Sequence, residues 1–106
     1  MGLENVYVPD STAVANDNDD VLVDDTDGGV VLLEANPHRK SALVINLGDS
    51  MVRITTDGTA PTATRGKPVP GGAILTLEGP QCPTDKVVGI AQNGGESSMI
   101  NASEVS

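Results

Sequence analysis

Apolar residues in this sequence come in short runs, each closed by Gly, Pro, Asn or Asp, and no window sustains a helical period. A chain patterned this way folds into short strands. The runs are Val30–Ala35, Ala42–Leu47, Ser50–Thr56, Ala73–Glu78, Lys86–Gln92 and Ser97–Ala102, with a shorter Glu4–Val8 near the start. About seven strands separated by turns at this spacing predict an all-β fold, a small β-sandwich or barrel. The core has to be aliphatic, because the 106 residues contain no Trp, no Phe and a single Tyr. Small aliphatic cores of this kind are marginal, which points to support from neighbouring chains.

Two local patterns read as hairpins. Gly48-Asp49 lies between Ala42–Leu47 and Ser50–Thr56, and Gly supplies the positive φ that a two-residue turn demands. Val52 and Ile54 then share one face, and Leu43, Ile45 and Leu47 share another. Asn93-Gly94-Gly95-Glu96 reads as a second, slightly longer hairpin loop. The polar stretch 57–72 is too long for a tight turn and has to cross between sheets or stand out as a loop.

Charge divides the chain unevenly. The net charge is -9. Glu4, Asp10, Asp17, Asp19, Asp20, Asp24, Asp25, Asp27 and Glu34 precede any Lys or Arg, whereas the acids after Asn36 are balanced by Arg39, Lys40, Arg53, Arg65, Lys67 and Lys86. The whole excess sits in the first third. Residues 1–28 therefore read as an extended acidic N-terminal arm, in which Val21-Leu22-Val23 makes a short extended contact, and residues 29–106 read as the β body. An acidic chain lacks the cations that displace counterions from nucleic acid. No apolar run reaches the roughly 20 residues of a membrane span, and the N-terminus lacks the pattern of a signal peptide, so the expectation is a soluble protein made in cytoplasm, without nucleic-acid or membrane partners.

Residues with chemical potential are few. His38 lies in a turn-forming Asn-Pro-His-Arg-Lys context with no nucleophile or orienting group in a shared motif, so no enzyme activity is expected. Cys82, between Pro80 and Pro83, reads as a small buried hydrophobe and cannot form an intrachain disulfide. Asp25, Asp27 and Gly28 match a fragment of a calcium loop, but the later Glu and flanking helices of that motif are missing, so no metal or other cofactor is expected. The acidic run reads chiefly as a solvated segment. Gly71-Gly72 and Gly94-Gly95 lack the helix start and Lys-Ser/Thr of phosphate loops and read as turns. Arg39 and Lys40, and Arg65 and Lys67, form two basic loop pairs suited to an acidic partner or another copy's acidic segment, although ordinary surface charge explains them as well. Val6, Tyr7 and Val8 are the third candidate contact, since Tyr7 joins a large apolar body to a polar tip.

The segments Asn36-Pro37-His38-Arg39-Lys40-Ser41, Leu43-Val44-Ile45-Asn46, Gly66-Lys67-Pro68-Val69-Pro70-Gly71-Gly72 leading to Leu75, and Val88-Gly89-Ile90-Ala91 before Gly94-Gly95 resemble small β-structured virion proteins of tailed bacteriophages, most of all capsid decoration (cement) proteins. The likeness covers the chain from Glu34 onward and consists of turn and strand residues that many β-sandwiches share. It implies a structural protein on the outside of an assembled capsid, bound to the major capsid protein and bridging its subunits, as a homo-oligomer with a trimer favoured. Alternative roles on the same β body are a head-tail joining, tail or host-binding virion protein, or a calcium-binding β module.

Overall fold

The computed structural model describes residues 15–106. The expected strand around Val6, Tyr7 and Val8 lies outside the described residues. Among the described residues there are nine strands and no helix: β1 (Ala15–Asp17), β2 (Val21–Val23), β3 (Val30–Leu33), β4 (Ser41–Asn46), β5 (Val52–Thr55), β6 (Lys67–Val69), β7 (Ile74–Glu78), β8 (Val87–Ala91) and β9 (Ser98–Val105). They form two antiparallel sheets, so the protein is an all-β sandwich. Sheet 1 runs β1/β2-β9-β4-β7, with β1 and β2 both on the same edge of β9, and sheet 2 runs β3-β8-β5-β6.

The core lies between the sheets and its apolar cluster is aliphatic: Val23, Val44, Val52, Ile54, Val87 and Ile100 are at 0% exposure. Removing the side chain of Ile54 beyond Cβ would cost about 2–5 kcal/mol, the range for truncating a large buried aliphatic residue.

Two expectations change. The acidic segment is not an arm up to residue 28, because from Ala15 it belongs to the body: β1 and β2 pair with β9, and Val23 is buried in the core. Between Asp17↔Ser103 and Val21↔Ile100, the three residues Asn18–Asp20 face the two residues Asn101 and Ala102, which is a bulge. Asn18 Nδ2 donates to Ala102 O at 3.0 Å, and Asn101 Nδ2 donates to Asn18 O at 3.0 Å, so side chains bridge the interrupted ladder.

Neither expected hairpin forms. β4 belongs to sheet 1 and β5 to sheet 2, so the Gly48 corner crosses the sandwich. Gly48 does not take a positive φ. Its role is close approach, since a Cβ there would collide with Ser98 Oγ. Fully buried Asn46 holds the corner: Nδ2 donates to Ser50 O at 2.8 Å and Val69 O at 2.9 Å, while Oδ1 accepts from Gly48 N at 3.1 Å and Ser98 Oγ at 2.5 Å. The Asn93–Glu96 loop likewise joins β8 in sheet 2 to β9 in sheet 1. The stretch 57–72 is not loop throughout: its first part links β5 to its neighbour β6, Lys67–Val69 is β6 itself, and the chain then crosses to β7 in sheet 1.

The shared faces are as expected: Val52 and Ile54 lie together on the core side, and Leu43 and Ile45 lie together on the outer side of β4, whose core side is Ala42, Val44 and Asn46.

Candidate interaction surface

Arg39 does not serve as a loop cation for a partner. Its side chain is buried, and its guanidinium is spent inside the fold: Nε donates to Glu104 Oε1 at 2.8 Å, Nη1 to Pro83 O at 2.8 Å and Asp85 O at 3.0 Å, and Nη2 to Glu34 O at 2.7 Å. One side chain thus fixes the end of β9, the loop before β8 and the segment after β3. Removing it would leave the partly covered Glu104 and three carbonyls without their donor, which is expected to destabilise the fold.

The other chemically capable residues are likewise absorbed locally. His38 is exposed in a turn, and its backbone N–H donates to Asn36 Oδ1 at 3.0 Å. Cys82 is half-buried with Sγ 3.7 Å from Leu77 O and Pro83 O, and burial pushes its thiol up, against the opposing pull of Arg39. Asp24 Oδ1 accepts from Thr26 Oγ1 at 2.5 Å and Thr26 N at 3.0 Å, which holds its carboxyl below the usual range. Asp25 Oδ2 accepts from Gly95 N at 2.9 Å, tying the acidic segment to the β8–β9 corner. Among the described residues no three His, Cys, Asp or Glu side chains come together as a metal-holding group, and Asp25 and Asp27 have no such companions.

Lys40, Arg65 and Lys67 are exposed. Arg65 and Lys67 meet at an open groove of about 260 Å³ beside Ile54, Thr55, Thr56, Asp57, Thr59 and Gly66. Asp57 Oδ1 accepts from Thr59 Oγ1 at 2.6 Å and Thr59 N at 3.1 Å; these bonds, with the nearby charge of Arg65, lower its pKa. The groove's own acid is therefore ionised and partly offsets its two cations.

The outer faces of the two sheets differ more than any charged feature. On sheet 2 the outward residues Val88 and Ile90 are buried at 4% and 8% exposure. Pro61 from the long loop is fully buried and lies with Val88 at the same place against Gly29, while Val31, paired with Val88, stays 39% exposed. On sheet 1 the outward row has no such cover from the described residues. Leu22 is paired with Met99, the Leu47 N–H donates to Met99 O, and Ile45 is paired with Ile74. Their exposures are 54% for Leu22, 53% for Leu47, 59% for Ile74 and 39% for Met99, with Leu43 and Ile45 partly exposed between them. Thr76, Asn101 and Ser103 between them carry no charge, and the charges on this face lie at its margin: Asp20 Oδ1 accepts from Asn101 Nδ2 at 2.9 Å, and Glu78 ends the outward row of β7.

These apolar residues were not among the sequence-based candidates. A signal for them exists in Ala42–Leu47, where both alternating sets, Ala42/Val44 and Leu43/Ile45/Leu47, are apolar; a strand of that kind is covered on two sides or waits for a cover. No known protein family and no curated protein matches the chain.

Proposed function

We propose that this chain is a structural virion protein that attaches to the outer surface of an assembled phage capsid and stabilises it by bridging coat subunits. The observation that carries the attachment is the uncovered apolar face of sheet 1 on a protein whose net charge is -9. Leu22, Leu47, Ile74 and Met99 are each between 39% and 59% exposed, and a contiguous exposed apolar patch on a monomer often marks a contact site. The capsid as partner rests on the resemblance of the segments from Glu34 onward to decoration proteins.

The mechanism is thermodynamic and needs no catalytic group. A protein that binds the assembled shell and not its free subunits shifts the assembly equilibrium, and many moderate contacts add up over a shell. The chemistry of the face specifies the other side: an apolar, uncharged patch, because a buried charge facing Leu47 or Ile74 would go unpaired. Lys40, Arg65 and Lys67 then act as exposed cations that steer the approach, as charges at a rim do.

Co-sedimentation tests this reading. The protein is expected to pellet with mature capsids in many copies and to leave free coat subunits unbound. The double change Leu47→Gln and Met99→Gln is expected to weaken capsid binding about tenfold or more. Failure of the unaltered protein to pellet with capsids overturns the proposal, and a few copies per particle would indicate a connector or tail role instead.

A further inference from the structure

Each sheet of the sandwich has two edges, and three of the four are blunted. The β1/β2 edge is bulged at Asn18–Asp20 and carries exposed Asp19 and Asp20 there. The β3 edge shifts register between Val31 and Leu33. The β6 edge is three residues long and contains Pro68, which has no N–H to offer. Bulges, charges and Pro are the devices by which edge strands avoid pairing with other chains.

β7 has no bulge and no Pro, and its one charge is Glu78 at its last position. Its five residues, Ile74-Leu75-Thr76-Leu77-Glu78, pair with β4 in unbroken register, and among the described residues it has a strand partner on one side only. Asn46 N donates to Ala73 O at 3.0 Å at the end of this ladder. Alternation from that bond turns the N–H and C=O groups of Leu75 and Leu77 toward β4 and those of Ile74, Thr76 and Glu78 outward.

We propose that this edge is a homodimer interface, in which β7 pairs antiparallel with β7 of a second copy about a two-fold axis through Thr76. The strand is complementary to itself in that register: Thr76 meets Thr76 of the other copy, Ile74 meets Glu78, and Leu75 meets Leu77. No like charges face each other, and a Thr pair is a favourable cross-strand combination. Outward residues meet outward residues, so the two copies of sheet 1 become one continuous sheet. Half-buried Leu75 gains cover, and the two apolar outer faces merge into one of twice the area. An isologous contact of this kind closes on itself and leaves no free edge to propagate. The resemblance favours a trimer; a two-fold edge predicts a dimer.

Two variants test the register without burdening the monomer, since Thr76 is exposed and outside the core. Thr76→Lys places two ammonium groups opposite one another and is expected to raise the dimer dissociation constant about tenfold or more while leaving the thermal melt of the monomer in place. In a Cys82→Ser background, Thr76→Cys is expected to cross-link to a covalent dimer under mild oxidation, because directly paired strand residues lie within disulfide reach. Ile74→Cys is expected not to, since its counterpart is Glu78. Sedimentation equilibrium at about 100 μM protein reads the mass. A monomer or a trimer for the unaltered chain, an unchanged mass for Thr76→Lys, or equal cross-linking of the two cysteine variants overturns the proposal. Capsid co-sedimentation is read separately, so loss of the dimer and loss of attachment are distinguishable.

Discussion

The two outer faces of the sandwich began from similar material and ended differently. Sheet 2 turns Val88 and Ile90 outward yet buried, with Pro61 from the loop after β5 meeting Val88 beside Gly29, and only Val31 among its large apolar residues stays exposed, at 39%. Sheet 1 turns Leu22, Leu43, Ile45, Ile74 and Met99 outward, and the connections around it are short corners such as Asn46–Met51 that lead to the other sheet. A covered face contributes to folding, whereas an uncovered one retains its apolar surface for a later contact.

Substitutions on the covered side are expected to act on stability. The largest effect belongs to Gly29→Val: the position has φ +81°, and a Cβ there would stand 2.7 Å from Val88 Cγ1 and 3.0 Å from both Gly89 O and Pro61 Cδ. Strain and overpacking together predict a loss of about 3 kcal/mol or more, read from the denaturant midpoint. Pro61→Gly removes a fully buried ring and loosens the loop, with an expected loss of about 1–2 kcal/mol and increased binding of an apolar dye.

On the uncovered side the two readouts should separate. Ile74→Ser alters a residue that is 59% exposed, so its expected change in unfolding free energy is within about 0.5 kcal/mol, while its capsid binding falls. A large loss of stability from Ile74→Ser would break the comparison, since it would mean that this face is already covered.

The smallest expected effect is pH-dependent and concerns the covering loop. Asp57 has its carboxyl below its ordinary value of 3.8, chiefly through the Thr59 hydroxyl and amide. A depressed carboxylate stabilises the fold above its unfolded value, and that contribution is lost as pH falls through the lower folded value. Asp57→Asn is therefore expected to melt slightly below the unaltered protein at neutral pH, with the gap closing as the solution is acidified below about pH 4. A gap that stays constant down to pH 2 would show that the loop is held by other contacts.

Strand positions were legible because the apolar runs and their Gly, Pro and Asn punctuation are local. Val52 and Ile54, Val87–Ala91 and Ile74–Glu78 appear within a residue or two of where the pattern puts them. Partners were not legible. Gly48-Asp49 and Asn93–Glu96 have the composition of hairpin turns, yet each is a corner between sheets, because turn chemistry permits a reversal without specifying which strand receives the chain. What redirects the first corner is Asn46, buried and bonded to Ser50, Val69, Gly48 and Ser98, partners scattered along the sequence. Arg39 shows the same limit. Its neighbours in sequence suggest a surface loop, and only the approach of Pro83, Asp85 and Glu104 makes it a buried staple.

By itself the sequence determined that this protein is a β fold with an aliphatic core and an acidic first third, since these follow from side-chain volume, alternation and charge counted along the chain. The tertiary structure decided that the acidic segment from Ala15 is an edge of sheet 1, that Arg39 is internal, and that sheet 1 leaves far more of its outer apolar row exposed than sheet 2 does. Those outcomes depend on which residues meet across the sandwich, and such meetings are fixed by packing between segments far apart in the chain.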